Sequence, residues 1–306
     1  MAQYGSETAS TVSSRGFYAF PAEEGSKEYD GLQCSSYDLE YPPWANTPET
    51  EFQAQDQCPW IFGEFVWAGF DYLGEPTPYN QNWPVHSSFF GISDLGGIQK
   101  DRAYLYAARR GNQPILHILP HWNWKGFEGK KIPVHVYTNY PSVELFINGQ
   151  SQGTKTAKSG RLRFDDVIYE PGDVAACAKD SNGDVAAREQ VKTAGAPAKI
   201  RLSADRSSML ADEDELAFVT AEIVDAEGNL CPLYHGLLYF EVSGAGSYEA
   251  SANGDSCSIE VFSAPEKRAF YGKCMIVVRA GNKQGMLRLK FKADDIPASI
   301  CEIKIL

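Results

Sequence analysis

The sequence has no Cys-x-x-Cys pair, and its seven cysteines (Cys34, Cys58, Cys177, Cys231, Cys257, Cys274 and Cys301) are scattered with no histidine cluster beside them. That spacing excludes a zinc site and a dense disulfide framework. The count is odd, so at least one thiol is unpaired, and buried small apolar residues are expected for all of them. No apolar run approaches about 18 residues, which excludes a membrane-spanning helix. No basic stretch followed by an apolar one lies near Met1, so no signal peptide is expected within the chain. Runs of Lys and Arg are also missing. With 28 basic against 40 acidic side chains and a net charge of −12, nucleic acid and anionic membranes are poor partners, and the acidity serves solubility. What is present is apolar material for packed cores, 43% of residues with 12% aromatic. A length of 306 residues implies two or three domains.

The chain opens on Gly5-Ser6-Glu7-Thr8-Ala9-Ser10, one carboxylate among small residues, followed by Arg15-Gly16. Small neighbours leave room for a substrate, and a nearby Arg can hold a carboxylate ionised. Glu7 therefore fits a nucleophile at the mouth of a barrel strand. It also fits a solvated surface group. Thr47-Pro48-Glu49 predicts a helix start, with Thr47 as cap and acidic residues at the positive end of the dipole, running to about Gln57. Residues 60–67 (Trp-Ile-Phe-Gly-Glu-Phe-Val-Trp) form a near-continuous apolar run that suits a strand covered on both faces. The run opens into residues 67–79, dense in rings, carboxylates, Gly and Pro. Sugar faces stack on indole rings and sugar hydroxyls need acceptors, so this is a carbohydrate-site composition. Trp67 is then either a stacking platform or core. A second helix is predicted over residues 100–109, with Tyr104, Ala107 and Ala108 inward.

From Pro114 the pattern changes to strands. Val143, Leu145 and Ile147 alternate with Glu144, Phe146 and Asn148, and Asn148-Gly149 is a two-residue hairpin turn. Further strands are predicted near 115–119, 132–137, 161–168 and 173–179, with turn chemistry at residues 180–184. After a linker at 193–198, strands recur at 199–204, 216–224, 238–242, 274–280 and 286–291. Both blocks suggest all-β sandwiches. Neither contains a titratable cluster, so no chemistry is expected in them.

Three motifs carry a family resemblance. They are Gly5-Ser6-Glu7-Thr8-Ala9-Ser10 with Ser14-Arg15-Gly16, residues 65–79, and Val143-Glu144-Leu145-Phe146-Ile147-Asn148-Gly149. Through them the chain resembles the C-terminal part of family 2 glycoside hydrolases, the β-galactosidase group, especially the multidomain enzymes of gut Bacteroidetes. The resemblance implies a multidomain chain. Residues 1–111 would be the C-terminal remnant of a (β/α)8 TIM barrel (strands 7 and 8), residues 112–194 a β-sandwich, and residues 196–306 an immunoglobulin- or invasin-like sandwich.

The resemblance further implies a retaining exo-β-glycosidase, most closely a β-galactosidase, acting on oligosaccharide or glycoside substrates. Glu7 would attack the anomeric carbon to give a covalent glycosyl-enzyme. Its partner acid, about 5–5.5 Å away, is in the family the Glu of an Asn-Glu pair. This sequence has no Asn-Glu, so the acid/base lies outside the chain, which is expected to be inactive alone. Trp67 matches the strand-8 Trp that lines the innermost sugar subsite. Asp71 and Glu75 are either hydroxyl acceptors or structural groups, Asp71 capping a turn and Glu75 pairing with Arg15 or Arg102. Arg15 is expected to order the loop after Glu7, and the five histidines receive no role.

Galactose, glucuronic acid and mannose enzymes share this framework, which leaves the sugar open. Some relatives hold a cation, but no ligand set marks one here, and no cofactor is expected. Family members are often exported, so a periplasmic or secreted location is implied for the full-length enzyme. A reading from another class is a non-catalytic carbohydrate-binding or structural β-sandwich module, motivated by the missing acid/base.

Overall fold

The computed structural model describes residues 2–157 and 159–306. The chain forms two compact units, Met1–Asp94 with Gln99–Thr193, and Leu95–Ile98 with Ala194–Leu306. The fold is mostly β-sheet with two helices among the described residues.

In the first unit β1 (Gln3–Thr8) pairs in parallel with β2 (Ile61–Val66), and α1 (Pro48–Gln57) lies in the crossover that a parallel pair requires. The register shifts between Gln3 and Gly5 and again before Thr8. Gly5 is needed there, because a Cβ would sit 2.4 Å from the Thr8 methyl. Helix α1 starts where the sequence places it, with Pro48 in its first turn, but Thr47 makes no side-chain cap. The Thr47 hydroxyl instead meets that of Thr50 at 3.1 Å.

Strand β2 is not covered on both faces in this chain. Phe62 and Phe65 are 72% and 67% exposed, and they gather around Tyr4 with ring centroids 5.6 and 5.7 Å apart. The reason is that this sheet has only two strands among the described residues. Helix α2 (Asp101–Arg110) buries Arg102, Leu105, Tyr106 and Ala108. Tyr104 and Ala107, expected inward, are half-buried, and Tyr104 stacks on His117 at 3.8 Å.

The remainder of this unit is a pair of sheets. One contains β3 (Leu116–Leu119), β4 (Val134–Thr138) and β7 (Arg161–Phe164). The other orders β5 (Ser142–Ile147), β6 (Gln150–Thr156), β8 (Asp173–Lys179) and β9 (Val185–Lys192) as β6-β5-β8-β9. Asn148 and Gly149 have φ of +47° and +79°, as a type I′ hairpin between β5 and β6 requires. Val143, Leu145 and Ile147 enter a core shared with Val134, Val136, Leu162 and Trp122.

Strand β4 is buried along its whole length. Its second face carries His135 and Tyr137 onto Tyr37, whose ring lies 4.7 Å from His135. The Tyr37 hydroxyl donates to the Pro133 carbonyl at 2.5 Å, and Arg161 of β7 donates to the Tyr37 carbonyl at 2.5 Å. These bonds fasten the first hundred residues to the sandwich as one compact unit.

The second unit also has two sheets. β10 (Lys199–Ala204), β12 (Leu216–Val224), β14 (Gly246–Ala252) and β16 (Lys273–Ala280) order as β10-β12-β16-β14. β11 (Ser208–Met209), β13 (Leu237–Gly244), β15 (Glu266–Arg268), β17 (Gly285–Ala293) and β18 (Ile296–Ile305) order as β11-β18-β17-β13-β15. Strict alternation in β16, with Cys274, Ile276, Val278 and Ala280 inward, supplies one wall of its core. The seven cysteines are not joined in disulfides. Four are buried, but Cys58, Cys257 and Cys301 are only half-buried, which corrects the expectation for those three. No helix among the described residues is long and apolar enough to cross a membrane.

Candidate active site

Glu7 stands one residue before the C-terminal end of β1, and the Trp67 backbone N–H, just past β2, donates to the Thr8 carbonyl at 3.2 Å. The parallel pairing thus brings the two sequence-predicted residues to one end of one sheet. Glu7 is exposed and makes no ion pair or side-chain hydrogen bond with a described residue. It lines an open cleft of about 210 Å³ together with Ala9, Ser10, Trp44, Ala45, Asn46 and Glu51. Ala9 and Ser10 have φ of +64° and +47°, an unusual conformation for residues with a side chain, directly after Glu7.

Arg15 does not pair with Glu7. Its Nε lies 2.6 Å from Asp94 Oδ2, both groups buried, so Arg15 orders the loop that follows Glu7. Asp71 lies in the loop after β2. Its carboxylate is buried, with Oδ2 2.7 Å from Lys100 Nζ and Oδ1 accepting the Gly91 N–H at 2.7 Å. Burial pushes Asp71 up and Lys100 down, and their mutual attraction opposes both shifts. Glu75 pairs with neither Arg15 nor Arg102. It is exposed and accepts the Tyr72 hydroxyl at 2.5 Å, while that hydroxyl accepts the Trp67 indole N–H at 3.0 Å. Trp67, Tyr72 and Glu75 form one chain that fixes the indole, with the Tyr72 ring edge-on to it at 5.8 Å. Burial and the bond to Glu75 raise the Tyr72 pKa, so its hydroxyl stays protonated as donor.

Sequence reasoning missed the charges beneath the Glu7 loop. Lys100 Nζ donates to the Ser13 carbonyl at 2.6 Å and to Phe89 at 3.1 Å. Arg102 donates to the Thr11 and Phe90 carbonyls at 2.9 and 2.6 Å, and lies 3.4 Å from Asp38, which accepts the Thr11 hydroxyl at 2.7 Å. Arg15–Asp94, Lys100–Asp71 and Arg102–Asp38 together clamp residues 11–15 from below. The available signal was weak: two cations at the start of an otherwise amphipathic helix. Tyr72 was hidden in the same way, among the other rings of its loop. Among the described residues no group of three His, Cys, Asp or Glu side chains could hold a metal ion.

A model of glycoside hydrolase family 2 C-terminal domain 5 matches residues 200–301, and a domain of unknown function, DUF4982, matches residues 129–187. The chain is 40% identical over 308 aligned positions to beta-galactosidase BoGH2A of Bacteroides ovatus. Residues 200–301 belong to that family 2 C-terminal domain. The alignment with BoGH2A covers 97% of this chain and 36% of that enzyme, so the chain spans about a third of its relative's length. A beta-glucuronidase of Formosa agariphila is 32% identical over 191 residues, 60% of this chain and 19% of that protein. The crystal structure of a beta-glycosidase from Bacteroides vulgatus superposes with a TM-score of 0.89 at 29% identity, covering 99% of this chain and 42% of that one. The two matches that span nearly the whole chain take in both the Glu7 end and the β domains.

Proposed function

We propose that this chain is the C-terminal portion of a retaining exo-β-glycosidase, most closely a β-galactosidase, with Glu7 as nucleophile. The observation that carries the proposal is the placement of Glu7. It is an exposed carboxylate without a partner among the described residues, on a cleft at the C-terminal end of a strand in a parallel pair, where barrel enzymes keep their catalytic groups. Residues 1–111 are then the last two strands and helices of a TIM barrel. The bare aromatic faces of β1 and β2 are what the preceding strands would cover. Residues 112–194 and 196–306 follow as two immunoglobulin-like sandwich domains.

Glu7 attacks the anomeric carbon while an acid from outside this chain protonates the leaving oxygen, and water then releases the sugar from Glu7 with that acid acting as base. Trp67, held by Tyr72 and Glu75, stacks on the sugar whose bond is broken. Asp71 acts only by anchoring the loop. The enzyme acts on oligosaccharide or glycoside substrates outside the cytoplasm, in the periplasm or secreted. The 40% identity to a beta-galactosidase favours galactose as the sugar.

Glu7→Gln in the full-length protein is the test. Turnover of a β-galactoside should fall by about a thousandfold or more while the unfolding midpoint stays unchanged. Normal turnover in that variant would remove Glu7 from the role.

A further inference from the structure

Trp44 shares the cleft of Glu7, and its indole is 62% exposed. Single exposed rings are common on protein surfaces. This one differs in how firmly it is held. Pro42 and Pro43 precede it and fix φ in two successive residues. The Ala45 N–H closes a turn onto the Pro42 carbonyl at 2.9 Å. The Asn46 N–H then bonds to the Ala9 carbonyl at 3.2 Å, tying the segment to the residue two beyond Glu7. The indole leans on Phe90 with centroids 6.0 Å apart, and Phe90 is fully buried, its carbonyl receiving the Arg102 guanidinium. A large ring presented to solvent on so rigid a mount loses little freedom when a ligand lies on it.

The polar groups of the cleft complete a sugar-binding set. Glu51 accepts the Asn46 side-chain N–H at 2.9 Å and keeps its second oxygen. Asn46 Oδ1 is buried without a hydrogen-bond partner among the described residues, a costly arrangement that a hydroxyl donor would relieve. Ala9 and Ser10 leave space between the ring and Glu7. Trp67 is not among the residues that line this cleft, and its indole is fastened to Tyr72.

We propose that Trp44 is the stacking platform for the sugar on the leaving-group side of the scissile bond, so that the substrate is an oligosaccharide rather than a glycoside of a small alcohol. The inference rests on Glu7 being the nucleophile. It assigns Trp67 to the sugar that Glu7 attacks and Trp44 to the sugar that departs. Trp44 acts on specificity: it holds the leaving group and takes no part in the bond exchange.

The test uses the full-length protein with Trp44→Ala and Trp44→Phe, assayed on methyl β-galactoside and on a β-galactosyl oligosaccharide. Trp44→Ala should lower kcat/KM on the oligosaccharide by about tenfold or more, mainly through KM, the effect of losing one large apolar contact. The methyl glycoside, whose leaving group is too small to reach the ring, should change by less than about threefold, and Trp44→Phe should recover most of the loss on the oligosaccharide. Equal losses on both substrates, or no loss on either, would overturn the assignment of Trp44. Glu7→Gln run beside them separates the two claims. If it abolishes turnover while Trp44→Ala leaves the oligosaccharide rate intact, only the Trp44 proposal falls. If it retains full turnover, the nucleophile reading and this inference fall together.

Discussion

Lys100 and Asp71 meet at 2.7 Å with both side chains almost completely buried, one at the start of α2 and the other in the loop after β2. Lys100 also binds the carbonyls of Ser13 and Phe89, so this one ammonium holds three segments around the candidate nucleophile. Removing it strands a buried carboxylate. Lys100→Met is expected to destabilise the first unit by about 3–5 kcal/mol, read by denaturant unfolding. Adding Asp71→Asn to that variant should recover a substantial part of the loss, because the uncompensated charge goes with it. Strictly additive losses would show that the pair is not coupled.

Gly91 is the second anchor of that loop. A Cβ there would lie 2.1 Å from the Asp71 nitrogen and 2.2 Å from the Ser93 carbonyl oxygen, both backbone atoms that cannot swing aside. Gly91→Ala should therefore cost at least about 1–3 kcal/mol, the range for overpacking, and shift the melting midpoint down. It should also lower activity in the full-length protein, since the Asp71 bond to the Gly91 N–H positions residues 67–75. An unchanged midpoint would contradict the contact geometry.

His117 gives a pH dependence with a defined sign. It lies on β3 between Asp101 of α2 at 2.7 Å and Glu189 of β9 at 3.7 Å. Burial alone would lower its pKa, but the hydrogen bonds and charges of the two carboxylates outweigh that and raise it from 6.5 to about 9. The folded pKa exceeds the unfolded one. The associated stability is therefore complete below about pH 6.5 and is lost as pH rises through about 9. His117→Gln should cost on the order of 2–3 kcal/mol near pH 6 and much less near pH 9.5. Melting curves across that range check it. Parallel pH profiles for variant and parent would contradict it.

Much of this architecture was legible in the sequence where local chemistry decides it. Pro48 and its acidic neighbours place α1, Asn148-Gly149 places a hairpin, and the alternation Val143-Leu145-Ile147 assigns the inner face of β5. Three limits were physical. Strand β4 loses the period of two because Tyr37 covers its second face, so Val134, His135, Val136 and Tyr137 are all buried. β9 and β18 carry mixed or polar patterns, and the apolar half-signal was too diluted to mark them. The clamp beneath Glu7 joins residues distant in the chain, with Arg15 and Asp94 79 positions apart, and no local spacing encodes such a pair. Glu7 and Trp67 are singled out by their motifs, and the fold brings them to one end of one sheet. The partners that fix them, Tyr72 for the indole and Lys100 and Arg102 for the loop, became visible only once the chain was folded.

The central claim is that Glu7 forms the bond to the sugar, and trapping tests it most directly. Full-length protein incubated with a 2-deoxy-2-fluoro-β-galactoside bearing a good leaving group should accumulate a covalent adduct, because the fluorine slows release more than attack. Intact-mass and peptide mapping should then find one sugar per chain, on the peptide containing Glu7. A label on a different carboxylate, or continued turnover with no adduct on that peptide, would contradict the account.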